Sequence, residues 1–177
     1  MKKLQSFILT VSSKLVYVFR VENGCAKVAE TANGEISLKR EAAILEKLNQ
    51  VSPTCENLPK LLQFGKCKNN PLFPESSMLT LVMDSCGIPL IQIEKSFLEN
   101  FSCRIAIGLK CALSTLHCSG FVHGDIHPRN AIIIREIGDN TQDDWKVVLI
   151  DFDHTKPLVE RDLYNKTLVE QTAKITN

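Results

Sequence analysis

The chain has 177 residues, 44% of them apolar, which is enough to build a core and excludes a disordered chain. Its 21 lysines and arginines balance 20 aspartates and glutamates, so the charge pattern fits neither a nucleic-acid-binding surface nor a polybasic membrane patch. Seven cysteines, an odd number with no CxxC pair, argue against a disulfide framework or a zinc knuckle and for free thiols in a reducing, cytoplasmic setting.

Met1-Lys2-Lys3 followed by Phe7-Ile8-Leu9 resembles the start of a signal peptide, but the apolar run breaks at Ser12-Ser13-Lys14 and no small-x-small cleavage site follows. A first strand over 6–11 is expected instead. No stretch approaches the roughly 20 apolar residues needed to span a bilayer. Residues 15–21 (LVYVFRV) read as a second strand, joined to the first by a hairpin at Ser12-Ser13-Lys14. Asn23-Gly24 marks a further turn before a third strand over 25–30. Ile36, Leu38, Ala42, Leu45 and Leu48 lie near helical spacing, with Ser37 as the expected N-cap and Pro53 just beyond the end. Leu58 to Phe64 reads as a fourth strand ending at Gly65, and Met78 to Met83 as a fifth. Gly87 and Pro89 mark the chain leaving that fifth strand.

From Ser96 to Cys118 an amphipathic helix is expected, its apolar stripe made of Leu98, Phe101, Ile105, Leu109, Ala112 and Leu116 and its stop supplied by Gly120. Two short apolar strands, 131–134 and 146–150, flank the polar loop Gly138 to Asp144, and a last helix is expected over 158–174. An antiparallel sheet with one helix, then a mostly helical half, is an α+β pattern. The expected architecture is five antiparallel strands with one helix over 1–86 and a small second lobe over 87–177.

The segment that carries chemistry is Phe121-Val-His-Gly-Asp-Ile-His-Pro-Arg-Asn130, followed by apolar Ala131 to Ile134 and, about twenty residues on, by Ile150-Asp151-Phe152-Asp153. Two carboxylates and an amide oxygen at the ends of apolar elements are hard oxygen ligands of the kind magnesium takes alongside phosphate oxygens. A carboxylate beside an acceptor hydroxyl can orient it and take its proton. HGDIHPRN followed by IDFD resembles the catalytic loop and metal-binding motif of the protein-kinase-like superfamily. The HGDxHxxN form is most similar to its small-molecule and atypical branches, such as aminoglycoside phosphotransferases, choline kinases and lipopolysaccharide kinases.

The resemblance, which covers about residues 6–155, implies a reduced bilobal kinase-like fold and phosphoryl transfer from ATP to a hydroxyl, on a protein serine or threonine or on a small molecule. It implies Asp125 as the group that orients or deprotonates the acceptor, and Asn130 and Asp151 as magnesium ligands. His123 is expected to be structural, hydrogen-bonded under the loop. Lys27, in the middle of an apolar strand, and Glu41, fourteen residues on in a helix, look like the kinase pair that positions the α- and β-phosphates. The alternatives are a solvent-facing strand lysine and an ordinary helix-surface glutamate. Residues 79–87 resemble the hinge, whose backbone around Asp84 to Cys86 would bond the adenine edge.

Three departures accompany the resemblance. No glycine-rich phosphate loop is present, and Ser12-Ser13-Lys14 stands at the hairpin tip, either capping phosphates or forming a plain solvated turn. Asp153 occupies the position of the DFG glycine, which suggests a fixed loop and offers a further metal ligand. Only 26 residues follow Asp151, so the expected second lobe is short and a protein partner is one way to complete it. A catalytically inactive member that binds nucleotide or protein is the alternative function. The presence of Lys27, Asp125, Asn130 and Asp151 together argues for the enzyme.

Overall fold

The structure, a computed structural model, describes residues 8–11 (backbone only), 16–22, 24–67, 77–135 and 145–158. The hairpin tip with Ser12 and Ser13, the loop over 138–144 and the helix expected beyond residue 158 lie outside the described residues. The fold is α+β, with antiparallel sheets and, among the described residues, two α-helices. The chain divides into two compact units, Met1–Asn49 with Lys60–Cys86 and Gln50–Pro59 with Gly87–Asn177.

The first unit contains β1 (Ile8–Val11), β2 (Val16–Val21), β3 (Gly24–Ala29), α1 (Ala32–Val51), β4 (Leu61–Cys67) and β5 (Met78–Met83). Its sheet runs β1-β2-β3-β5-β4. β1 is its most weakly paired member, meeting β2 at only two Cα pairs, Ile8↔Phe19 and Val11↔Tyr17, with a register shift between them. β3 is central, paired to β2 from Val16↔Ala29 to Val21↔Gly24 and to β5 from Cys25↔Met83 to Val28↔Thr80. It is covered on both faces, which is why Cys25 to Ala29 are all buried and why the segment lacks strict alternation. Leu38, Ala42, Leu45 and Leu48 of α1 join Val28, Leu81 and Met83 in the core.

Two boundaries differ from expectation. The helix starts at Ala32, and Thr31 caps it: its Oγ1 accepts the Gly34 N–H at 3.2 Å. Ser37 is a buried residue of the second turn. The fourth strand begins three residues later than Leu58 and runs through Gly65. Pro59 has no N–H to give a ladder. Asn49 fixes the start, donating from Nδ2 to Leu61 O at 3.0 Å and accepting the Leu61 N–H at 3.4 Å.

The second unit holds β6 (Ile88–Pro89), a 3₁₀ turn at Leu90–Gln92, α2 (Lys95–Cys118), β7 (Phe121–Val122), β8 (Ala131–Arg135), β9 (Trp145–Leu149), a 3₁₀ turn at Phe152–His154 and β10 (Lys156–Pro157). β6, β8 and β9 form one antiparallel sheet, β7 and β10 a second. Gly87 and Pro89 thus lead into a short edge strand, where proline's missing N–H is tolerated. The expected stripe of α2 turns inward: Ile105, Leu109, Ala112 and Leu116 are buried, Leu98 and Phe101 half-buried. Gly108 is the closest approach to β9, since a Cβ there would lie 2.4 Å from Val147 Cγ1. Asn57 stitches its own loop to β9, donating to Val147 O at 2.8 Å and accepting from Leu149 N at 3.0 Å. Arg104 lies 4.2 Å over the Trp145 ring and donates to that residue's carbonyl.

Candidate functional site

Two sets of polar groups stand out, one in each unit. In the first unit, Lys27 Nζ meets both carboxylate oxygens of Glu41 at 2.8 Å. Lys27 is 7% exposed and Glu41 1%. Neither residue is therefore the surface side chain of the alternative reading. Desolvating two charges is unfavourable by several kcal/mol each, so such a pair persists only with close geometry, which the fork of two bonds supplies. The helix face that carries Leu38, Leu45 and Leu48 also carries Glu41, because residues three and four apart share a face.

In the second unit, the segment His123 to Asn130 lies beside the segment Ile150 to Thr155. Backbone and imidazole make the joint. Ile150 N donates to Asn130 O at 2.8 Å. His123, fully buried, places Nε2 3.0 Å from Ile150 O. A carbonyl can only accept, so Nε2 carries the proton. The unprotonated Nδ1 then accepts the Asp125 N–H at 3.4 Å. Burial pushes the His123 pKa below its ordinary 6.5, outweighing the Ile150 bond and the nearby Asp151 and Asp125 carboxylates, all of which favour the cation. His123 is thus a neutral crosslink beneath the loop, as its sequence context suggested.

Gly124 follows at φ +82, and a Cβ on it would lie 2.5 Å from His154 O. Only glycine fits that left-handed backbone with a carbonyl so close. The next residue, Asp125, has a side chain 39% exposed. Asn130 Nδ2 donates to Asp125 O and to Asp125 Oδ2, both at 3.0 Å. Because both partners are acceptors, the amide orientation is forced and Asn130 Oδ1 remains the acceptor end. His127 adds a second donor: its Nδ1 accepts the Arg129 N–H at 3.1 Å, so Nε2 bears the proton and faces Asp125 Oδ2 at 3.3 Å. Oδ2 is the oxygen these two groups hold, which turns Oδ1 of the carboxylate to other partners.

Asp151 opens the 3₁₀ turn at φ 71, ψ 75, the one non-glycine residue with positive φ among the described residues. A left-handed aspartate is uncommon and marks a place where the surroundings dictate the backbone. Its carboxylate does not cap the turn that it opens. Asp153 is buried within that turn, 3.4 Å from His154 Nε2, so the loop is fixed there rather than open.

The remaining expected site residues divide. Ser12 and Ser13 lie outside the described residues. Asp84 is exposed and bonds within its own unit: Oδ1 accepts from Lys60 N and Ser85 Oγ, each at 2.8 Å, and its N–H donates to Lys60 O at 3.1 Å. Its backbone N–H is thus engaged within the first unit. Sequence reasoning assigned no role to His127, though its place two residues after Asp125 was the available signal.

Magnesium takes one or two carboxylates with phosphate and water oxygens, so Asp151 with the amide oxygen of Asn130 is a donor set of the right chemistry. No group of three or more histidine, cysteine, aspartate or glutamate side chains among the described residues would hold a metal by itself. Among the described residues, no helix is long and apolar enough to cross a membrane. No protein-family model matches the chain, and no curated protein matches it either.

Proposed function

We propose that the chain is an ATP-dependent phosphotransferase of the protein-kinase-like superfamily, moving the γ-phosphate to a hydroxyl. The observation that carries the reading is the joint between the 123–130 and 150–155 segments: one buried neutral histidine and one backbone bond hold Asp125, Asn130 and the left-handed Asp151 as a set. Lys27, gripped by Glu41, supports it independently, being a buried cation held in one place by a fork of two bonds.

In this reading Asp125 accepts a hydrogen bond from the acceptor hydroxyl through Oδ1 and takes its proton as the new P–O bond forms and the bond from the γ-phosphorus to the bridging oxygen breaks, ADP departing. His127 and Asn130 hold Oδ2 and so fix the direction of Oδ1. Asn130 Oδ1 and the Asp151 carboxylate would hold magnesium, which supplies charge neutralisation at the β- and γ-phosphates. Lys27 is assigned to the α- and β-phosphates. The backbone of Ser85 and Cys86 is assigned to the adenine edge. Seven free cysteines support a reducing, intracellular setting.

The test is a thermal shift with ATP and magnesium, run beside a transfer assay with γ-labelled ATP and a cell extract as acceptor source. Wild type should be stabilised and should transfer label. Asp151→Ala should lose the magnesium-dependent part of the shift. Asp125→Ala should keep the shift and lose transfer. Nucleotide binding with no transfer to any acceptor would favour the inactive binding module, and no nucleotide binding at all would sink the enzyme and leave only a module that binds protein.

A further inference from the structure

The first unit carries an open apolar groove that the nucleotide reading does not use. Among the described residues β4 is the last strand of its sheet, paired to β5 on one side only. An edge strand presents a row of backbone N–H and C=O groups that can take another strand. Asn49 already holds both backbone groups of Leu61, so the open stretch begins at Leu62. From Leu61 to Gly65 the strand carries no charge and no proline, and Leu62 and Phe64 are 52% and 38% exposed. Between this strand and the flank of α1 lies a groove of about 500 Å³. Its apolar lining includes Ala42, Ala43, Leu62 and Phe64, and its polar lining includes Lys39 and Glu46.

The charges along the groove have an order that matters. Lys39, Ala42, Ala43 and Glu46 lie at i, i+3, i+4 and i+7, so they share one side of α1. That side reads cation, two small residues, anion, over about 10 Å of helix axis. Turned end for end about a point between Ala42 and Ala43, the pattern meets its own complement: Lys39 falls opposite Glu46, and Glu46 opposite Lys39. A two-fold contact needs such a self-complementary patch, because each copy presents the same surface. The alanines at the centre leave room for apolar side chains, and Leu62 and Phe64 stand beside them to supply these. Lys39 also reaches Glu35 at 3.4 Å, but both side chains meet solvent, and an exposed pair of this kind is too weak to commit Lys39.

We propose that this face of the first unit binds a second copy of the chain, β4 edge to β4 edge and antiparallel, with the two α1 helices side by side in opposite directions. The two sheets then run on as one across a two-fold axis. Leu62 and Phe64 of each copy fill the grooves, and Lys39 of each copy meets Glu46 of the other. An extended apolar peptide from another protein also fits an open edge and a groove. The cation and anion that match each other in reverse are what select a second copy. The contact uses none of Asp125, Asn130 and Asp151, and it stands whether or not the chain transfers phosphate.

The experiment is sedimentation velocity of the intact chain over a concentration series, beside hydrogen exchange read by peptide mass at the two ends of that series. The wild type should pass from monomer to dimer, and the amides over 62–67 should exchange more slowly in the dimer. Leu62→Glu and Phe64→Glu, changes at exposed side chains, should each hold the chain monomeric. Lys39→Glu and Glu46→Lys each put like charges in contact twice per dimer, and each should weaken self-association roughly ten-fold with little change in melting temperature. Mixed in equal amounts, these two charge variants should pair with one another at wild-type strength, because both contacts of the mixed dimer are again of opposite sign. Misfolding of either variant cannot produce that rescue. A chain that stays monomeric throughout the series overturns the proposal. So does a mixture as weak as its two parts, or a dimer whose newly protected amides lie outside β4. Protection of 62–67 that appears only with an added extended apolar peptide would assign the groove to a different protein and overturn it too.

Discussion

The two polar sets solve the same problem in opposite ways. In the first unit, Lys27 and Glu41 are full charges sealed from water and balanced against each other. In the second, buried His123 is neutral and the charge sits on Asp125, whose side chain is more than a third exposed. A sealed ion pair holds a cation in one place whether or not a ligand is present. An exposed carboxylate on a neutral scaffold stays available to a substrate. The first arrangement is a fixture and the second a working group, so damage to each should show in different measurements.

The largest expected effect is on chemistry alone. Asp125→Asn keeps an acceptor oxygen for Asn130 Nδ2 and removes the base, so transfer should fall by about 10²- to 10⁴-fold while the melting temperature holds. A melting temperature that falls as well would mean that Asp125 is a structural residue and the comparison is mistaken. Next comes the sealed pair. Lys27→Met leaves Glu41 buried without its counter-charge and should cost about 3–5 kcal/mol in urea unfolding of the chain. Lys27→Met combined with Glu41→Leu should recover most of that loss while still lacking transfer, because the double change removes both desolvated charges. A double variant as unstable as the single one would show that packing, not charge balance, dominates at this position.

The elements and the sealed pair were legible for local reasons. A lone cation inside Cys25-Ala-Lys-Val-Ala29 needs a partner, and a helix with a glutamate one face-repeat from its leucines can supply it. The long helix was legible because its apolar stripe repeats over about five turns of chain, and Ala131 to Ile134 because it is uninterrupted. What sequence patterns could not place depends on groups distant along the chain. The start of β4 is decided by Asn49, not by the apolar run around Leu58, which is buried without joining the ladder. The capping role of Thr31 competes with the equally plausible Ser37, and only the observed bond to Gly34 N decides. The tautomer of His127 depends on the Arg129 N–H. Spacing carries the identity of these residues but not their partners.

A smaller effect separates backbone from side chain at the loop itself. Gly124→Ala adds a methyl at φ +82 against His154 O and should cost about 1–3 kcal/mol. Transfer should drop further than this instability explains, because Asp125 is the next residue. If stability falls but the remaining folded protein transfers label at the wild-type rate, the position of the loop backbone does not govern Asp125.

The smallest effect is the most specific to the neutral scaffold. Burial lowers the pKa of His123, and also that of His117 near the end of α2, below the ordinary 6.5. In both cases the unfolded chain takes up the proton first as pH falls. Stability from these groups is therefore complete above pH 6.5 and declines below it, by up to about 1.4 kcal/mol per pH unit for the buried His123 until its folded-state pKa is reached, and by less for the half-buried His117, whose ring solvent screens. Denaturant unfolding followed from pH 7 to pH 5 should show this slope, and His123→Gln should flatten it by one histidine's share. Glutamine can still donate to Ile150 O, so the variant should retain a folded second unit at pH 7. An unchanged slope in that variant would mean that His123 is charged in the folded protein, and the contrast between a sealed ion pair in one unit and an uncharged scaffold in the other would collapse.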